Sequence, residues 1–263
     1  MPPLRITGAA GVRAGQYLWL AAGRSGCDPA HLRNRQMHLV SVNTAQPRDV
    51  DWRGKIVRTS IFKQPAVGLV QVRAEHLEGD GQADLRHHGG PDKAVYAYPS
   101  EHHAYWAALV PCTKLVPGAF GENLTTAGLL ESDVRLGDCF RMGSALLRAM
   151  QPRLPCFKLN VRFDDDRMVG LFQRAGRSGI YFQVVETGAL QAGDAIALVQ
   201  RSEHNVTVQQ VADCYYSPGN DLATIRAILE VPFLRPSLRA HFEAIYTASS
   251  QGANGPAAGL ASA

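Results

Sequence analysis

Nowhere in this chain do apolar residues run on for the ~20 positions that a membrane-spanning helix needs. The sequence is read as a soluble protein with no membrane partner. It also lacks any C-x-x-C pair. Its five cysteines, Cys27, Cys112, Cys139, Cys156 and Cys214, are odd in number and far apart. That spacing signals neither a zinc site nor an iron–sulfur cluster. A disulfide framework is not expected at this size, which places the chain in a reducing, cytoplasmic compartment. Glycine is plentiful, yet no G-x-G-x-x-G follows a strand and opens a helix, so flavin and nicotinamide sites are not expected. There is no dense Lys/Arg run either: net charge is +4 and the sequence pI about 8.9. Such a mild excess suits a small anionic ligand and offers no stripe for a nucleic acid polymer.

What is present is an ordinary globular composition, 46% hydrophobic over 263 residues, enough for one large domain or two small ones. From Met37 to about Gln200 the pattern is strand-rich. Val70, Val72 and Ala74 alternate with Gln71 and Arg73. Further short runs lie at Ala94–Tyr98, Cys139–Met142, Ala145–Met150, Tyr181–Val185 and Ala195–Val199, with Gly137-Asp138 and Gly193-Asp194 as turns. Many short strands with glycine turns indicate a barrel or sandwich. Two helices interrupt them: one through His102–Leu109, and one that starts in Asp164-Asp165-Asp166 and stops at Gly176. After Asn205 the period changes. Thr207 and Gln210 fit a capping box, Asn220 or Asp221 caps Leu222–Leu229, and Pro236 precedes Leu238, Phe242 and Ile245 at helical spacing. The expected organisation is a mainly β domain with some α over residues 37–203, then a small all-α three-helix domain over 204–246. Residues 1–36 read as an N-terminal extension without order, with translation able to start at Met37. Tyr17–Ala22 is too short and poorly flanked for a secretory core. The Ser/Gly/Ala-rich tail, 247–263, has too few apolar anchors to order itself.

Two polar concentrations invite chemistry. In Gln151-Pro152-Arg153-Leu154-Pro155-Cys156-Phe157-Lys158-Leu159 a cysteine follows a proline and stands between two cations. The prolines stiffen the backbone, and positive charge near a sulfur favours the thiolate that binds metals or attacks electrophiles. Cys112, Cys139 and Cys214 lack this setting and read as packing residues. In Arg86-His87-His88-Gly89-Gly90-Pro91-Asp92-Lys93 the glycines let backbone approach a ligand closely, His88 is placed to move a proton and Lys93 to pair with an anion. His102 and His103, adjacent on a helix, read as surface or interface residues. The three aspartates at 164–166 read as helix-end electrostatics, since successive helical residues point apart.

The cysteine stretch resembles the cysteine motif of the MOSC domain, the module at the C-terminus of molybdenum cofactor sulfurases and in stand-alone relatives. Three more segments resemble that family in the same order: Asp80–Pro99, Phe120-Gly121-Glu122-Asn123-Leu124-Thr125-Thr126, and Gly176-Arg177-Ser178-Gly179-Ile180-Tyr181-Phe182. The likeness runs from Met37 to Tyr246 and points to bacterial members that protect cells from N-hydroxylated purines. It implies a β-barrel MOSC domain followed by the three-helix domain, and a molybdenum cofactor with Cys156 as the protein ligand to the metal. It further implies that Arg153, Lys158, Lys93, Arg177, Ser178 and Thr125 hold the pterin and its phosphate, while Asn123 and His88 orient substrate or manage protons. On this resemblance the chain is an oxidoreductase that reduces N-hydroxylated compounds to amines. Lacking flavin, nicotinamide and cluster motifs, it would take electrons from a separate reductase. Two alternatives stay open: a non-catalytic carrier of the cofactor or of a sulfur atom on Cys156, and a metal-free thiol enzyme with Cys156 as nucleophile and His88 as base. Substrate, donor and oligomeric state are not set by the sequence.

Overall fold

A computed structural model describes residues 36–83, 89–110, 115–217 and 221–253. The expected extension, apart from Gln36, lies outside them, as does His88. Twelve strands appear among the described residues: β1 (His38–Thr44), β2 (Arg48–Trp52), β3 (Lys55–Thr59), β4 (Gln64–Pro65), β5 (Val70–Val72), β6 (Val95–Pro99), β7 (Leu124–Ala127), β8 (Cys139–Met142), β9 (Ala145–Pro152), β10 (Ile180–Glu186), β11 (Gly188–Leu190) and β12 (Ile196–Gln200). The helices are α1 (His102–Leu109), α2 (Lys158–Phe163), α3 (Met168–Ala175), α4 (Val208–Tyr216), α5 (Leu222–Leu229) and α6 (Pro236–Ala253).

The main sheet runs β12-β8-β9-β10-β6-β7-β1-β4, antiparallel except for the parallel pair β6–β7. It curls until β1 meets the approach to β12. Asp194 O accepts from Leu39 N (2.9 Å), Leu39 O from Gly193 N (2.7 Å) and Met37 O from Ile196 N (2.9 Å). The result is barrel-like, with its ends pinned by a bridge at His38 and Ala195 rather than by a continuous ladder.

Strand periodicity explains where the site sits. Successive side chains of a strand point to opposite faces. Val95 and Ala97 of β6, with Ile180 and Phe182 of β10, enter the barrel core. Tyr96 and Tyr98, with Tyr181, face the other way and pack with Trp106, Phe120 and Phe172 beneath α1 and α3. All five β6 residues are therefore buried, as expected of a strand covered on both faces.

The helical domain follows its sequence signals. Thr207 and Gln210 form both halves of the capping box on α4, and Asp221 caps α5 by accepting from Thr224 N (3.0 Å). Its apolar faces join the barrel's own core: Val211, Ile225, Ile228 and Phe242 share one cluster with Leu136, Phe140 and Leu147.

Three elements depart from expectation. The hairpin β2–β3 turns through Arg53-Gly54, both at positive φ (56° and 74°), the arrangement of a two-residue type I′ turn. The helix expected from Asp164 is two helices. α2 ends at Asp164 in a left-handed conformation (φ 50°), and α3 starts only at Met168 and stops at Gly176 (φ 63°). The aspartates between them serve local contacts: Asp165 pairs with Arg167 (2.8 Å) and Asp166 with Arg53 of the hairpin. Finally, α6 continues to Ala253, seven residues into the tail expected to carry no order from 247. Once Leu238 and Phe242 anchor its first turns, each further residue adds a hydrogen bond without a new nucleation cost, and Ala/Ser sequence tolerates that.

Candidate functional site

β9 delivers Cys156. The strand ends at Pro152, paired with Ile180 of β10. Arg153, Leu154 and Pro155 then cross to α2, whose first turn forms on Cys156: its carbonyl accepts from Leu159 N at 2.9 Å. The residue is half-buried, with Phe157 beside it exposed at 51%. Cys139 and Cys214, by contrast, are buried in the core. Burial pushes the Cys214 thiol up to about 11, helped by Asp221 and Asp213, as suits an inert packing cysteine.

A cleft opens beside this turn, and Cys156, Arg153, Lys158, Lys93 and Asn123 all line it. Arg153 is 6% exposed. It donates to Phe120 O (2.8 Å), and its guanidinium carbon stands 5.0 Å from the Tyr96 ring centroid and 5.4 Å from that of Phe172. Burial opposes its charge, but Tyr96, Tyr181 and Cys156 outweigh that and hold it protonated. Lys93, at the end of a short turn (Pro91–Lys93), has its ammonium 5.8 Å from the Tyr181 ring centroid. Burial, reinforced by the Arg235 charge, draws its pKa down to about 8.

The opposite wall carries residues that the sequence reading passed over. Lys63 and Asp80, 6% and 8% exposed, form an ion pair there. The Asp80 carboxylate also accepts from Ala45 N (2.8 Å) and from the Asn123 amide (2.8 Å). Burial draws the Lys63 pKa down against the pull of Asp80. No local pattern flags the pair, because it joins a residue before β4 to one in the loop after β5. Tyr96 and Tyr181 stood in strand runs and in the resemblance segments, with no site role assigned.

Asn123 reaches the cavity, but its amide is committed elsewhere. The oxygen accepts from Tyr96 N (3.1 Å) and the nitrogen donates to Asp80. These two bonds fix it in the cavity wall. Thr125, Arg177 and Ser178 are not brought to the cavity. The Thr125 hydroxyl donates to Glu122 (2.9 Å) and accepts from Asn43 (3.0 Å). Glu122 is fully buried, and burial raises its pKa against the hydrogen bonds it accepts. Arg177 stacks on Tyr105, 4.4 Å from the ring centroid, and donates to His102 Nδ1 (3.0 Å). The Ser178 hydroxyl donates to Gly179 O (3.0 Å), and its carbonyl accepts from the Tyr96 hydroxyl (2.9 Å). Gly179 is there for close packing: a Cβ would stand 2.6 Å from Ala97 O. That segment packs the start of β10 closely on β6. His102, expected at the surface, is 5% exposed and bonded to Glu131 (2.9 Å). His88 lies outside the described residues.

The donor set fits a metal-bearing anionic cofactor. Among the described residues, one soft sulfur shares the cavity with the basic side chains of Lys63, Lys93, Arg153 and Lys158 and with the carboxylate of Asp80. A curled, mainly antiparallel sheet with a cysteine-bearing cavity on its outer face and three helices fused to its core defines the class: a barrel-like β domain with a helical appendage. The comparisons agree. Residues 84–197 match the MOSC domain and residues 206–244 the YiiM-like, 3-alpha helix domain. The chain is 40% identical over 211 residues to YflK of Bacillus subtilis, covering 80% of this chain and 95% of that protein. It is 44% identical over 184 residues to YiiM of Escherichia coli, covering 66% and 81%. The crystal structure of YiiM from Geobacillus stearothermophilus superposes with a TM-score of 0.67 at 33% identity, covering 80% of this chain and 99% of that one. A Gibberella moniliformis protein named "Reductase" is 34% identical over 186 residues, of which this chain spans only 33% of the length. The chain belongs to the MOSC family, in its form with the YiiM-like helical domain.

Proposed function

We propose that this protein is a molybdenum-cofactor enzyme that reduces N-hydroxylated compounds, N-hydroxylated purine bases among them, with electrons from a separate reductase. The observation that carries the reading is the convergence of Cys156, Arg153 and Lys158 from one chain segment and Lys93 from another on one cavity. Membership of the MOSC family and the fungal relative named a reductase support it.

Cys156 is the residue placed to ligate the metal. Arg153, Lys158 and Lys93 supply charge for the anionic part of the cofactor; Arg153 does so from a buried, pre-stacked position that leaves little side-chain entropy to lose. The bound group supplies the two-electron redox chemistry, and the protein supplies position and electrostatics. The reaction balances as R–NHOH plus two electrons and two protons giving R–NH2 and water. The N–O bond breaks and the oxygen leaves as water.

The test is elemental analysis of protein made in a cofactor-sufficient host, beside Cys156→Ala. Near-stoichiometric molybdenum that vanishes in a folded variant is the expected result, and turnover of an N-hydroxylated purine with a chemical electron donor then follows. Folded wild-type protein that stays free of molybdenum despite competent loading would sink the proposal and favour the sulfur-carrier or thiol alternatives.

A further inference from the structure

Lys63 is the cavity lysine that the cofactor reading leaves without a task. Lys93 and Lys158 are committed to the anionic part of the cofactor, and a guanidinium such as that of Arg153 does not give up a proton. Lys63 lines the same cavity as Cys156, with its side chain only 7% exposed. The segment that carries it is braced by close contact. A Cβ on Gly118 would stand 2.8 Å from the Lys63 carbonyl oxygen, and one on Gly121 2.8 Å from Ile61 Cγ1. An ammonium has three N–H donors. Among the described residues that of Lys63 has a single acceptor, the Asp80 carboxylate. Asp80 is itself fixed by Ala45 N and by the Asn123 amide, at 2.8 Å each. Two charged donors therefore remain on a side chain more than nine-tenths buried, in a residue that lines the cavity. Buried donors on a charged group are costly to leave unfilled, and an oxygen brought in by a ligand would fill them.

The surroundings also suit proton transfer. Burial works against the ammonium charge, while Asp80, by charge and by hydrogen bond, and the buried Glu122, by charge, work for it. Burial prevails, so Lys63 is more acidic than an ordinary lysine while still paired with a carboxylate. A lysine in that condition can release a proton and take it back.

We propose that Lys63 is the proton donor to the leaving oxygen of the N-hydroxyl group. In this role it deepens the reductase reading and depends on that reading for the reaction. The free N–H groups of Lys63 take the hydroxyl oxygen of R–NHOH. As the N–O bond breaks, one proton passes from Lys63 to that oxygen, which leaves as water. Two electrons, delivered from the separate reductase by way of the bound redox group, stay on the nitrogen, and a solvent proton completes R–NH2. Lys63, left as the neutral amine, regains its proton from water. A positioned general acid of this kind is needed because hydroxide is a poor leaving group.

The experiment compares the cofactor-loaded full chain with Lys63→Arg, which keeps the charge, the pair with Asp80 and the N–H donors but does not release a proton. Molybdenum content is expected to stay as in wild type, as is calorimetric affinity for an N-hydroxylated purine measured without an electron donor. With a chemical electron donor, kcat is expected to fall roughly 100-fold or more, the scale of general acid catalysis. Lys55→Met, at an exposed lysine of the β2–β3 hairpin, changes none of these. An arginine variant that turns over like wild type overturns the proposal, because a charge with a merely structural role is rescued by that change. Should Lys63→Arg fail to fold, Lys63→Met combined with Asp80→Asn removes both halves of the ion pair together. In that double variant the preference for the N-hydroxylated purine over its amine is expected to drop about tenfold, the scale of one lost hydrogen bond to a charged group. A double variant that keeps the preference, or wild type that shows none, overturns the contact with the hydroxyl. This binding comparison is run on the cofactor-free chain as well. Absence of molybdenum from loaded preparations would remove the reductase reading, and the cofactor-free comparison would still decide whether Lys63 takes the N-hydroxyl oxygen.

Discussion

Asp80 shows at the scale of one residue how the cavity is built. Its carboxylate gathers Ala45 N–H, the Lys63 ammonium and the Asn123 amide, and so ties the loop after β5 to β1, β4 and the entry to β7. A buried ion pair adds little net stability while intact, but removing one partner leaves the other charged and unpaired. Asp80→Ala is expected to cost about 3–5 kcal/mol in denaturant unfolding; a loss under 1 kcal/mol would mean that Lys63 finds another partner. Lys93 belongs to the same scale. With its pKa near 8 from burial, Arg235 and the opposing pull of Cys156 and Asp92, it is charged below that pH and neutral above it. A phosphate group is already mainly dianionic there. Phosphate affinity of the cofactor-free protein is therefore expected to hold up to about pH 8 and decline above it, with the decline displaced upward in the complex because bound anion favours the protonated amine. Affinity that rises between pH 8 and 9.5 would exclude Lys93 from the binding charge.

At the scale of elements, what could be read from the sequence was whatever depends on neighbours in the chain. The capping box at Thr207 and Gln210 formed as read, because its two hydrogen bonds are local. Thr207→Ala should cost about 1 kcal/mol, measured as a shift in urea midpoint at constant slope; no shift would mean that tertiary packing alone fixes the helix start. The strands at Cys139–Met142 and Ala145–Pro152 were likewise legible as short apolar runs between glycine turns. The hairpin β2–β3 was not, for its strands are mostly exposed and its turn uses an arginine at φ 56°, a residue that carries no type I′ signal. The site divides the same way. Cys156, Arg153 and Lys158 announce themselves by sitting together around Pro155. Lys63, Asp80 and Tyr181 are brought to the cavity by sheet pairing and loop packing, which no spacing records. Arg177 and Ser178 do not line the cavity, and no spacing records that their segment closes β10 onto β6.

The whole molecule is a single folding unit by this logic, although two families describe it. Val206, Val211, Ile225, Ile228, Val231 and Phe242 from the helical part are buried in the same cluster as the barrel's Leu136, Phe140 and Leu147. Phe233 closes against the turn at Gly137, where a Cβ would stand 2.8 Å from its ring. Each such apolar side chain contributes about 1.5–3 kcal/mol when buried, and the net stability of a domain is only about 5–15 kcal/mol. Removing residues 204–263 would expose one side of the barrel core and strip it of several such contributions at once. The intact chain should melt in one calorimetric transition with equal calorimetric and van't Hoff enthalpies. A chain ending at residue 203 should be aggregated, or compact with bound dye and no near-ultraviolet circular dichroism. Two resolved transitions, or a cooperatively folded truncation, would refute the shared core. The consequence reaches the search for the electron donor. Deleting the helical domain tests folding rather than docking, so its part in recruiting a reductase has to be probed by exposed substitutions such as Leu222→Ser, at a position 36% exposed, which leave the common core intact.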